Sequence, residues 1–494
     1  MKRIGFLMML GLAMLASCDK SSKTDFKPMY KEAVYGVAEE QSRVYAENVE
    51  GYWMSYPDTG EDFGTIYTRK LKELAHTEKL NLDMDLYYPL EPVNQNRHPL
   101  LLLIHGGAFY NGDKRDLGYP EMGHYFAERG YVVASINYRL GFMPMAPDVD
   151  RAGYRALQDA HAAVCYLIEN ADEFGIDTTQ IFAAGTSAGA ITALNLAFMD
   201  EEHRPEATRK NGVKGWVSTI TENIVDWINQ GLHLINTNWN INGSKICQKL
   251  GLDTDLGPIN SVSGALDHPF QIKAVVNLWG AMYDLAMLKE SPETGILSIH
   301  GDADHTIPYN YGYPFDGMLD PYVDDVIDAL PNYMEGLAEW MKDWATSGQP
   351  FNEWVFNPMY GSKAIYDKAY TMGRHCELQT VKGGAHSLHL NAQRDELSDC
   401  FEETILPAMN RFLCEEIVGG PLVQIVQDDE ECWFKAVGMD NVAELHWIVE
   451  GGKVAKRDGK DKVKVKFSDD ATHHVVTACG KYKNGVEFRE NWSE

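Results

Sequence analysis

Apolar and polar positions over residues 79–415 alternate between a strand-like and a helix-like period. Residues 100–104 are continuously apolar, which predicts a strand that is covered on both faces. Further strands are predicted at residues 131–137, 181–184, 272–278, 295–299 and 377–381. Helices are predicted at residues 121–129, 151–173 and 394–413. This alternation predicts an α/β domain with a doubly wound, mostly parallel sheet.

Two further features do not follow this regular alternation of strands and helices. Residues 67–75 and 79–88 are predicted to form a strand pair, and the second is predicted to be a half-buried edge strand because apolar and polar residues alternate in it. Residues 200–270 and 310–360 interrupt the pattern after the ends of strands. Ligands of open α/β sheets bind at the carboxyl ends of strands, so these two insertions are predicted to form a lid or pocket walls.

The pattern changes again after residues 419–421. Helical periodicity gives way to short alternating segments, such as Val463, Val465 and Phe467 between lysines. Residues 422–494 are therefore predicted to form a small all-β sandwich. A chain of 494 residues is longer than chains that fold around a single hydrophobic core usually are, so two domains are expected.

The first seventeen residues have the pattern of a signal peptide. Lys2 and Arg3 precede an apolar stretch, residues 4–15, that is too short to span a bilayer comfortably. Cys18 directly follows two small residues, an arrangement that resembles a bacterial lipobox, in which the cysteine becomes the lipidated N-terminus. The sequence predicts an exported, membrane-anchored bacterial lipoprotein, with residues 18–60 as tether and N-terminal extension. An ordinary secreted protein is the alternative.

The net charge of −28 restricts the possible partners. Such an acidic surface repels nucleic acid and anionic membrane, so no nucleic-acid partner is expected, and membrane association is assigned to the lipid anchor. Asp253 and Asp255 lack the glycine and the terminal glutamate of a calcium loop, so no metal is expected. No cofactor is expected either.

The segment G-T-S-A-G at residues 185–189 lies between a predicted strand and a predicted helix. In this setting the pattern G-x-S-x-G places a serine on a strained turn with its hydroxyl exposed. An ordinary glycine-rich turn is the alternative. A serine hydroxyl that acts as a nucleophile needs a general base and a carboxylate that orients the base.

Three further segments follow predicted strands and contain histidine and glycine. They are H-G-G-A-F at residues 105–109, H-G-D-A-D-H-T-I-P at residues 300–308, and K-G-G-A-H-S at residues 382–387. Together with the serine turn, they resemble the corresponding loops of the α/β-hydrolase carboxylesterases. The resemblance covers about residues 65–415, and it implies the α/β-hydrolase fold.

The resemblance also implies the roles of individual residues. Ser187 is the implied nucleophile, Asp304 the acid and His386 the base, in the chain order of this fold. The acid-loop pattern favours Asp304 over Asp302, and the glycine-rich loop favours His386 over His389.

Backbone N–H groups that stabilise a developing oxyanion are implied as well. The donors should be Gly107 or Ala108, together with Ala188. His105 is interpreted as structural, hydrogen-bonded beneath the loop.

The C-terminal region has a resemblance of its own. Cys432, Trp447 and Cys479 occur in the order and approximate spacing of the core pair and packing tryptophan of immunoglobulin-like sandwiches. The resemblance to bacterial Ig-like or PKD-like modules implies a disulfide between Cys432 and Cys479. Such a module either binds glycan or holds the enzyme away from the membrane, and the spacer role is favoured.

With residues 61–420 as the catalytic domain, the resemblance implies a serine esterase that acts through an acyl-enzyme. Lipid-anchored esterases of this type suggest an ester substrate that is an acetylated or feruloylated plant polysaccharide. A serine peptidase of the same fold is one alternative, disfavoured because no propeller-like repeat precedes the domain. A catalytically silent glycan-binding lipoprotein is another, disfavoured because Ser187, Asp304 and His386 are all present.

Overall fold

The computed structural model describes residues 29–50, 79–90, 97–142, 146–213, 254–289, 293–316, 318, 352–428, 432–468 and 470–493. Its contacts divide the described chain between Gly419 and Gly420 into a larger and a smaller unit. The predicted signal peptide, Cys18, the predicted strand at residues 67–75 and most of both insertions lie outside the described residues. Within the described part of the chain, no helix is both long enough and apolar enough to cross a bilayer.

A mixed sheet organises the larger unit. Its strands are β1 (Gly36–Glu50), β2 (Lys79–Leu90), β3 (His98–Ile104), β4 (Val132–Ile136), β5 (Ile176–Thr186), β6 (Ile272–Leu278), β7 (Ala281–Met282), β8 (Gly295–Gly301), β9 (Tyr311–Gly312), β10 (Met359–Gly361) and β11 (Cys376–Val381). Eight of them pair in the order β1-β2-β4-β3-β5-β6-β8-β11, and β7, β10 and β9 form a small separate sheet. The pairs β1–β2 and β2–β4 are antiparallel, and all pairs from β4 to β11 are parallel. The predicted α/β class with a mostly parallel sheet is confirmed.

Helices connect these strands. They are α1 (Tyr119–Ala127), α2 (Ala146–Glu169), α3 (Ala171–Phe174), α4 (Ala188–Phe198), α5 (Asn352–Val355), α6 (Ser362–Thr371) and α7 (Leu406–Val418). The helix predicted at residues 394–413 begins later than expected, with a π-helical turn at Phe401–Ile405 before α7.

The core lies on both faces of the parallel strands. Every residue from Leu100 to Ile104 is fully buried, as the continuous apolar run predicts. In the register of the sheet, Ile104 pairs with Gly185, and Val381 pairs with Gly301. The carboxyl ends of β3, β5, β8 and β11 therefore lie along one edge of the sheet, and the loops that follow them lie at that edge.

β1 corrects the predicted start of the catalytic domain at residue 61. This strand pairs with β2 from Gly36 opposite Leu90 to Glu50 opposite Lys79, so β2 is an interior strand and not an edge strand. Tyr45 is buried, and its hydroxyl donates a hydrogen bond to the carbonyl oxygen of Asn137 at 2.6 Å. Residues of the predicted tether therefore belong to the sheet.

The smaller unit contains two antiparallel sheets. Its strands are β12 (Gln424–Gln427), β13 (Trp433–Val437), β14 (Val442–Glu450), β15 (Gly452–Asp458), β16 (Lys462–Phe467), β17 (Val475–Tyr482) and β18 (Glu487–Ser493). They are ordered β12-β13-β16-β15 and β14-β17-β18. The two sheets contact each other through Phe434 and Trp492, whose ring centroids are 4.6 Å apart. The predicted all-β character of this region is confirmed.

The disulfide predicted between Cys432 and Cys479 is absent, because both residues are free thiols. Trp447 pairs with Ala478, and its indole N–H donates to a backbone carbonyl in the β15–β16 turn of the other sheet, so this side of β17 faces inward. Successive side chains of a strand point to opposite faces. Cys479 therefore lies on the face of β17 that points away from the other sheet, where it is buried and its Sγ is 3.9 Å from the carbonyl oxygen of His446.

Candidate active site

Ser187 occupies the tight turn between β5 and α4, with φ of +52° and ψ of −118°. This backbone conformation is costly for any residue with a Cβ. A Cβ on Gly185 would lie 2.3 Å from the carbonyl carbon of Gly189, and one on Gly189 would lie 1.9 Å from the carbonyl oxygen of Ile104. The turn therefore has no room for a side chain at residues 185 and 189.

The structure brings Ser187, Asp304 and His386 together. Nε2 of His386 is 3.0 Å from Oγ of Ser187, and Nδ1 of His386 is 2.7 Å from Oδ2 of Asp304. Asp304 follows β8 and His386 follows β11, and these strands are neighbours in the sheet. With Nδ1–H donated to the carboxylate, Nε2 is free to accept the serine proton.

The electrostatics of the site keep His386 neutral and Asp304 ionised. Burial lowers the pKa of His386 below its ordinary value, and the opposing effect of the Asp304 carboxylate offsets this only in part. Burial would raise the pKa of Asp304, but hydrogen bonds from His300 and His386 hold it well below its usual range. A neutral imidazole beside an ionised carboxylate can remove a proton from the serine hydroxyl.

The carboxylate of Asp304 is fixed by donors on both oxygens. Oδ1 accepts the backbone N–H groups of Thr306 at 2.7 Å and Ile307 at 3.0 Å. Oδ2 is also 3.1 Å from Nε2 of His300, whose side chain is fully buried. His300 is part of the site that the sequence interpretation missed. The one indication of its role in the sequence is its position as the first residue of the acid-loop segment.

A short polar chain orients His300 in turn. Its Nδ1 is 2.7 Å from Oγ of Ser362, the first residue of α6. Asn277 donates to Oγ of both Ser362 and Ser298, each at 3.0 Å. When the Ser362 hydroxyl donates to Nδ1, Nε2 carries the proton that Asp304 receives.

Asp302 and His389, which the sequence disfavoured as the acid and the base, make other contacts. Oδ1 of Asp302 accepts the N–H of Gly383 at 2.5 Å, which links the acid loop to the histidine loop. His389 stacks on Trp279 with ring centroids 5.2 Å apart, and burial lowers its pKa to about 4. His386, and not His389, is the histidine hydrogen-bonded to Ser187.

The predicted oxyanion loop follows β3 and turns sharply. Gly107 has φ of +102° and Ala108 has φ of +54°. A Cβ on Gly107 would lie 2.0 Å from the carbonyl oxygen of Asn111, so this position requires glycine. Ala108 and Ser187 line the same cavities. Ala188 is the first residue of α4, so its N–H has no acceptor within the helix.

His105 lies beneath this loop, as the sequence predicted. The side chain is fully buried, its Nδ1 is 2.8 Å from the carbonyl oxygen of Gly106, and burial lowers its pKa to about 4. Its ring stacks on Tyr138 with centroids 4.3 Å apart, and the Tyr138 hydroxyl donates to the His105 carbonyl oxygen at 2.9 Å. These contacts fix the start of the loop.

Two cavities meet at Ser187. The smaller has a volume of about 40 Å³ and a mostly apolar lining that includes Phe109, Ile191 and Phe356. Asp150, Tyr283 and Asn357 add polar groups to this lining. Burial raises the pKa of the Asp150 carboxyl to about 7, against the effect of a hydrogen bond from Asn357.

The larger cavity has a volume of about 520 Å³ and a mixed polar and apolar lining. His386 lines this cavity, and Asn111, Asp116, His389 and Arg394 supply further polar groups. The base is therefore on the side of the large cavity.

Two groups of described side chains could hold a metal ion. They are His161, Cys165 and Asp267, and His375, Glu377 and Glu415, with ligand atoms within 4.8 Å of one another in each group. Neither group includes a residue of the Ser187 site.

The profile of the BD-FAE family matches residues 84–319, just under half of the chain. Among curated proteins, gut esterase 1 of Caenorhabditis elegans is 30% identical over 166 residues, which cover 32% of this chain and 29% of that protein. Esterase-5C of Drosophila pseudoobscura pseudoobscura is 30% identical over 123 residues, which cover 24% of this chain and 22% of that protein. The chain spans less than a third of the length of these curated relatives.

Solved structures show a more distant likeness. The apo form of Thermogutta terrifontis esterase 2 is 16% identical, with a TM-score of 0.38, over 68% of this chain and 90% of that one. A truncated carbohydrate esterase from gut microbiota is 17% identical, with a TM-score of 0.36, over 78% of this chain and 98% of that one.

Proposed function

We propose that this chain is a serine esterase in which Ser187, His386 and Asp304 form the catalytic triad. The observation that supports this most directly is the pair of hydrogen bonds made by His386, 3.0 Å to Ser187 Oγ and 2.7 Å to Asp304 Oδ2. The BD-FAE match, which contains both Ser187 and Asp304, and the similarity to two curated esterases favour ester hydrolysis over the peptidase and non-catalytic alternatives.

The proposed reaction has two stages. Oγ of Ser187 attacks the ester carbonyl carbon while His386 Nε2 takes the hydroxyl proton; His386 then gives this proton to the departing alcohol, which leaves an acyl-enzyme. His386 then takes a proton from water as the water oxygen attacks the acyl carbon; the bond from that carbon to Oγ breaks, His386 returns the proton to Oγ, and the acid and the free serine are released. The N–H groups of Gly107 or Ala108 and of Ala188 are proposed to stabilise the oxyanion in both stages.

We assign one half of the substrate to each of the two cavities. Because the leaving alcohol takes its proton from His386, the alcohol should occupy the large cavity, which His386 lines. The acyl group then occupies the small apolar cavity. A volume of about 40 Å³ is small for a binding cavity, so it suits a short acyl chain.

These assignments favour a short acyl group on a large polar alcohol. Among the candidate polysaccharide substrates, acetyl fits the small cavity better than feruloyl does. Polar side chains in the lining of the large cavity, among them Asn111, Asp116 and Arg394, offer hydrogen-bond partners to a sugar. We therefore propose deacetylation of polysaccharide, with the insertions at residues 200–270 and 310–360 as pocket walls.

The cellular setting is also proposed. Lipidation at Cys18 would make the chain an exported, membrane-anchored lipoprotein. The strand orders β12-β13-β16-β15 and β14-β17-β18 agree with an immunoglobulin-like sandwich, in which four strands face three.

Two measurements test the proposed function. Incubation with a fluorophosphonate should add one phosphonyl group per chain, and peptide mass spectrometry should place it on Ser187. In a panel of acetyl, butanoyl and feruloyl esters of one xylooligosaccharide, kcat/KM should be highest for acetyl. Modification at a different residue would refute the assignment of Ser187. A preference for feruloyl would refute the acyl assignment alone.

A further inference from the structure

The outer face of the β12-β13-β16-β15 sheet carries a cluster of lysines. In β16, Val463 and Val465 are buried while Lys464 and Lys466 are exposed, so alternate residues point outward. The register places lysines of the neighbouring strands directly opposite those of β16. This lysine face comprises Lys435, Lys453, Lys456, Lys462, Lys464 and Lys466.

Like charges are paired across the strands of this face. Lys453 is opposite Lys466, and Lys456 is opposite Lys464. Like charges directly opposite each other destabilise a sheet. Lysines on an edge strand commonly prevent aggregation, which would explain β15, but β16 lies between β13 and β15 and has no free edge. The positive charge on β16 therefore needs another explanation.

Trp433 fixes the position of these charges. The ammonium groups of Lys456, Lys462 and Lys464 lie 5.9, 5.0 and 5.9 Å from the centre of its ring. Trp433 is only 7% exposed, so the lysine side chains cover the ring and their charged ends are held over it.

Acidic residues offset the positive charge of the lysine face at Lys462. Asp428 forms an ion pair with Lys462, and Asp458 is opposite Lys462 in the register. Lys435, Lys453, Lys456, Lys464 and Lys466 are all exposed. A chain with a net charge of −28 thus presents a concentrated positive surface.

We propose that the lysine face binds a linear carboxylated polysaccharide. Outward residues along a strand are spaced by roughly 6.6 Å, and neighbouring strands by about 4.8 Å, so the charges form a regular array that suits a polymer with repeated carboxylates. This proposal goes beyond the proposed esterase function, because it concerns the smaller unit and requires no catalysis.

The surface is less suited to a membrane. Proteins that lie on a membrane insert apolar and aromatic side chains beside their basic residues. The aromatic residue here, Trp433, is covered, and Val426, 42% exposed and opposite Lys435, is a single small apolar group. Charge complementarity therefore favours a soluble polyanion over an anionic lipid surface.

The test measures binding of the full chain to polygalacturonate by calorimetry, with fully methyl-esterified polygalacturonan as the neutral polymer of the same backbone. The face variant replaces Lys456, Lys464 and Lys466 with glutamine, which removes the charge and keeps most of the stem. The matched control replaces Lys79, Lys210 and Lys368, which are exposed and lie in the larger unit, and it has the same net charge.

We expect the native chain to bind polygalacturonate and not the esterified polymer, with affinity that falls steeply as salt is raised. The face variant should bind at least tenfold more weakly, and the control variant should bind as the native chain does. The melting temperature of the face variant should stay within a few degrees of that of the native chain, because the loss of two cation–ring contacts with Trp433 is offset by the removal of like-charge pairs.

Three outcomes would overturn the proposal. They are absence of binding to polygalacturonate, equal loss in the face and control variants, and tight binding to phosphatidylglycerol vesicles with none to the polymer. Hydrolysis of 4-nitrophenyl acetate by the face variant should match that of the native chain. Failure of the binding result is thereby distinguished from failure of the proposed esterase function.

Discussion

Nε2 of His300 lies 3.1 Å from Oδ2 of Asp304, the same carboxylate oxygen that is 2.7 Å from Nδ1 of His386. One oxygen therefore serves two histidines, one on the serine side and one in the protein interior. The buried histidine helps to fix the carboxylate in place and to keep it ionised. His300 is accordingly a positioning residue, because it acts on Ser187 only through Asp304 and His386.

Replacement of His300 with alanine should lower kcat by about 10- to 100-fold and change KM little. The carboxylate would lose a hydrogen bond at a buried site, where an unmet acceptor costs ~1–3 kcal/mol. Steady-state kinetics on a 4-nitrophenyl ester measures this split. His300→Gln, whose amide can still donate, should recover part of the loss. If KM rises while kcat is unchanged, His300 acts on substrate binding and not on Asp304.

Ser187→Ala should reduce turnover of a short-chain 4-nitrophenyl ester by at least ~10⁴-fold, because the nucleophile is removed. The variant should keep the melting temperature of the native chain within a few degrees, since alanine occupies the same turn. Circular dichroism provides that control. Turnover near that of the native enzyme would show that the nucleophile lies elsewhere.

Asp304→Asn and His386→Ala should each reduce kcat by roughly 10³- to 10⁴-fold. Asp302→Asn is the matched control: Asp302 accepts a backbone N–H from Gly383, whereas His386 is hydrogen-bonded to Asp304, so replacement of Asp302 should cost less than tenfold. A larger loss for Asp302 than for Asp304 would show that the carboxylates have been assigned in the wrong order.

The acid limb of the kcat/KM profile should have an apparent pKa below the ordinary value of about 6.5 for histidine. Burial lowers the pKa of His386, and only its neutral form accepts the serine proton, so activity should be lost as pH falls through that lowered value. Initial-rate assays from pH 4 to 9 would measure this acid limb. An acid limb centred above pH 7 would contradict this environment for His386.

Asp150 provides a control for the same profile. Its carboxyl lines the small cavity with a pKa of about 7, so a second titration near neutral pH should affect short-acyl substrates. In Asp150→Asn that second step should disappear, and the limb due to His386 should remain.

A chain truncated to residues 25–420 should retain kcat/KM on small soluble esters, because the larger unit ends at Gly419 and contains all of the proposed triad. A chain truncated to residues 51–420 should be insoluble or inactive. It lacks β1, and with it the buried Tyr45 and its hydrogen bond to Asn137. Equal activity of the two truncated chains would show that β1 is dispensable to the fold.

The positions of Ser187, Asp304 and His386 were accessible from the sequence because each lies in a short glycine-containing segment that follows a predicted strand. Those segments encode the turn geometry locally. The role of His300 was not accessible, since the direction of its ring depends on Ser362, which lies 62 positions further along the chain.

β1 and the pair Cys432 and Cys479 show two other limits of prediction from the sequence. The register of β1 shifts between Glu40 and Arg43 and at two further places, so its polar and apolar residues do not alternate. For Cys479, sequence spacing suggested a partner in Cys432 but could not show which face of its strand the side chain takes, and a difference of one residue reverses the face of a strand. Both features depend on pairing with distant strands.

The early start of the sheet sets an upper limit on how far the enzyme could stand from a bilayer. The N–H of Tyr30 donates to the carbonyl oxygen of Arg129, so the larger unit holds the chain at a point only 12 positions after Cys18. At 3.3–3.6 Å per residue, 12 residues extend at most about 43 Å, whatever conformation they adopt. With a lipid on Cys18, the tether between the bilayer and the larger unit would be little longer than the bilayer is thick. A polymeric substrate would then have to reach the membrane surface to be hydrolysed.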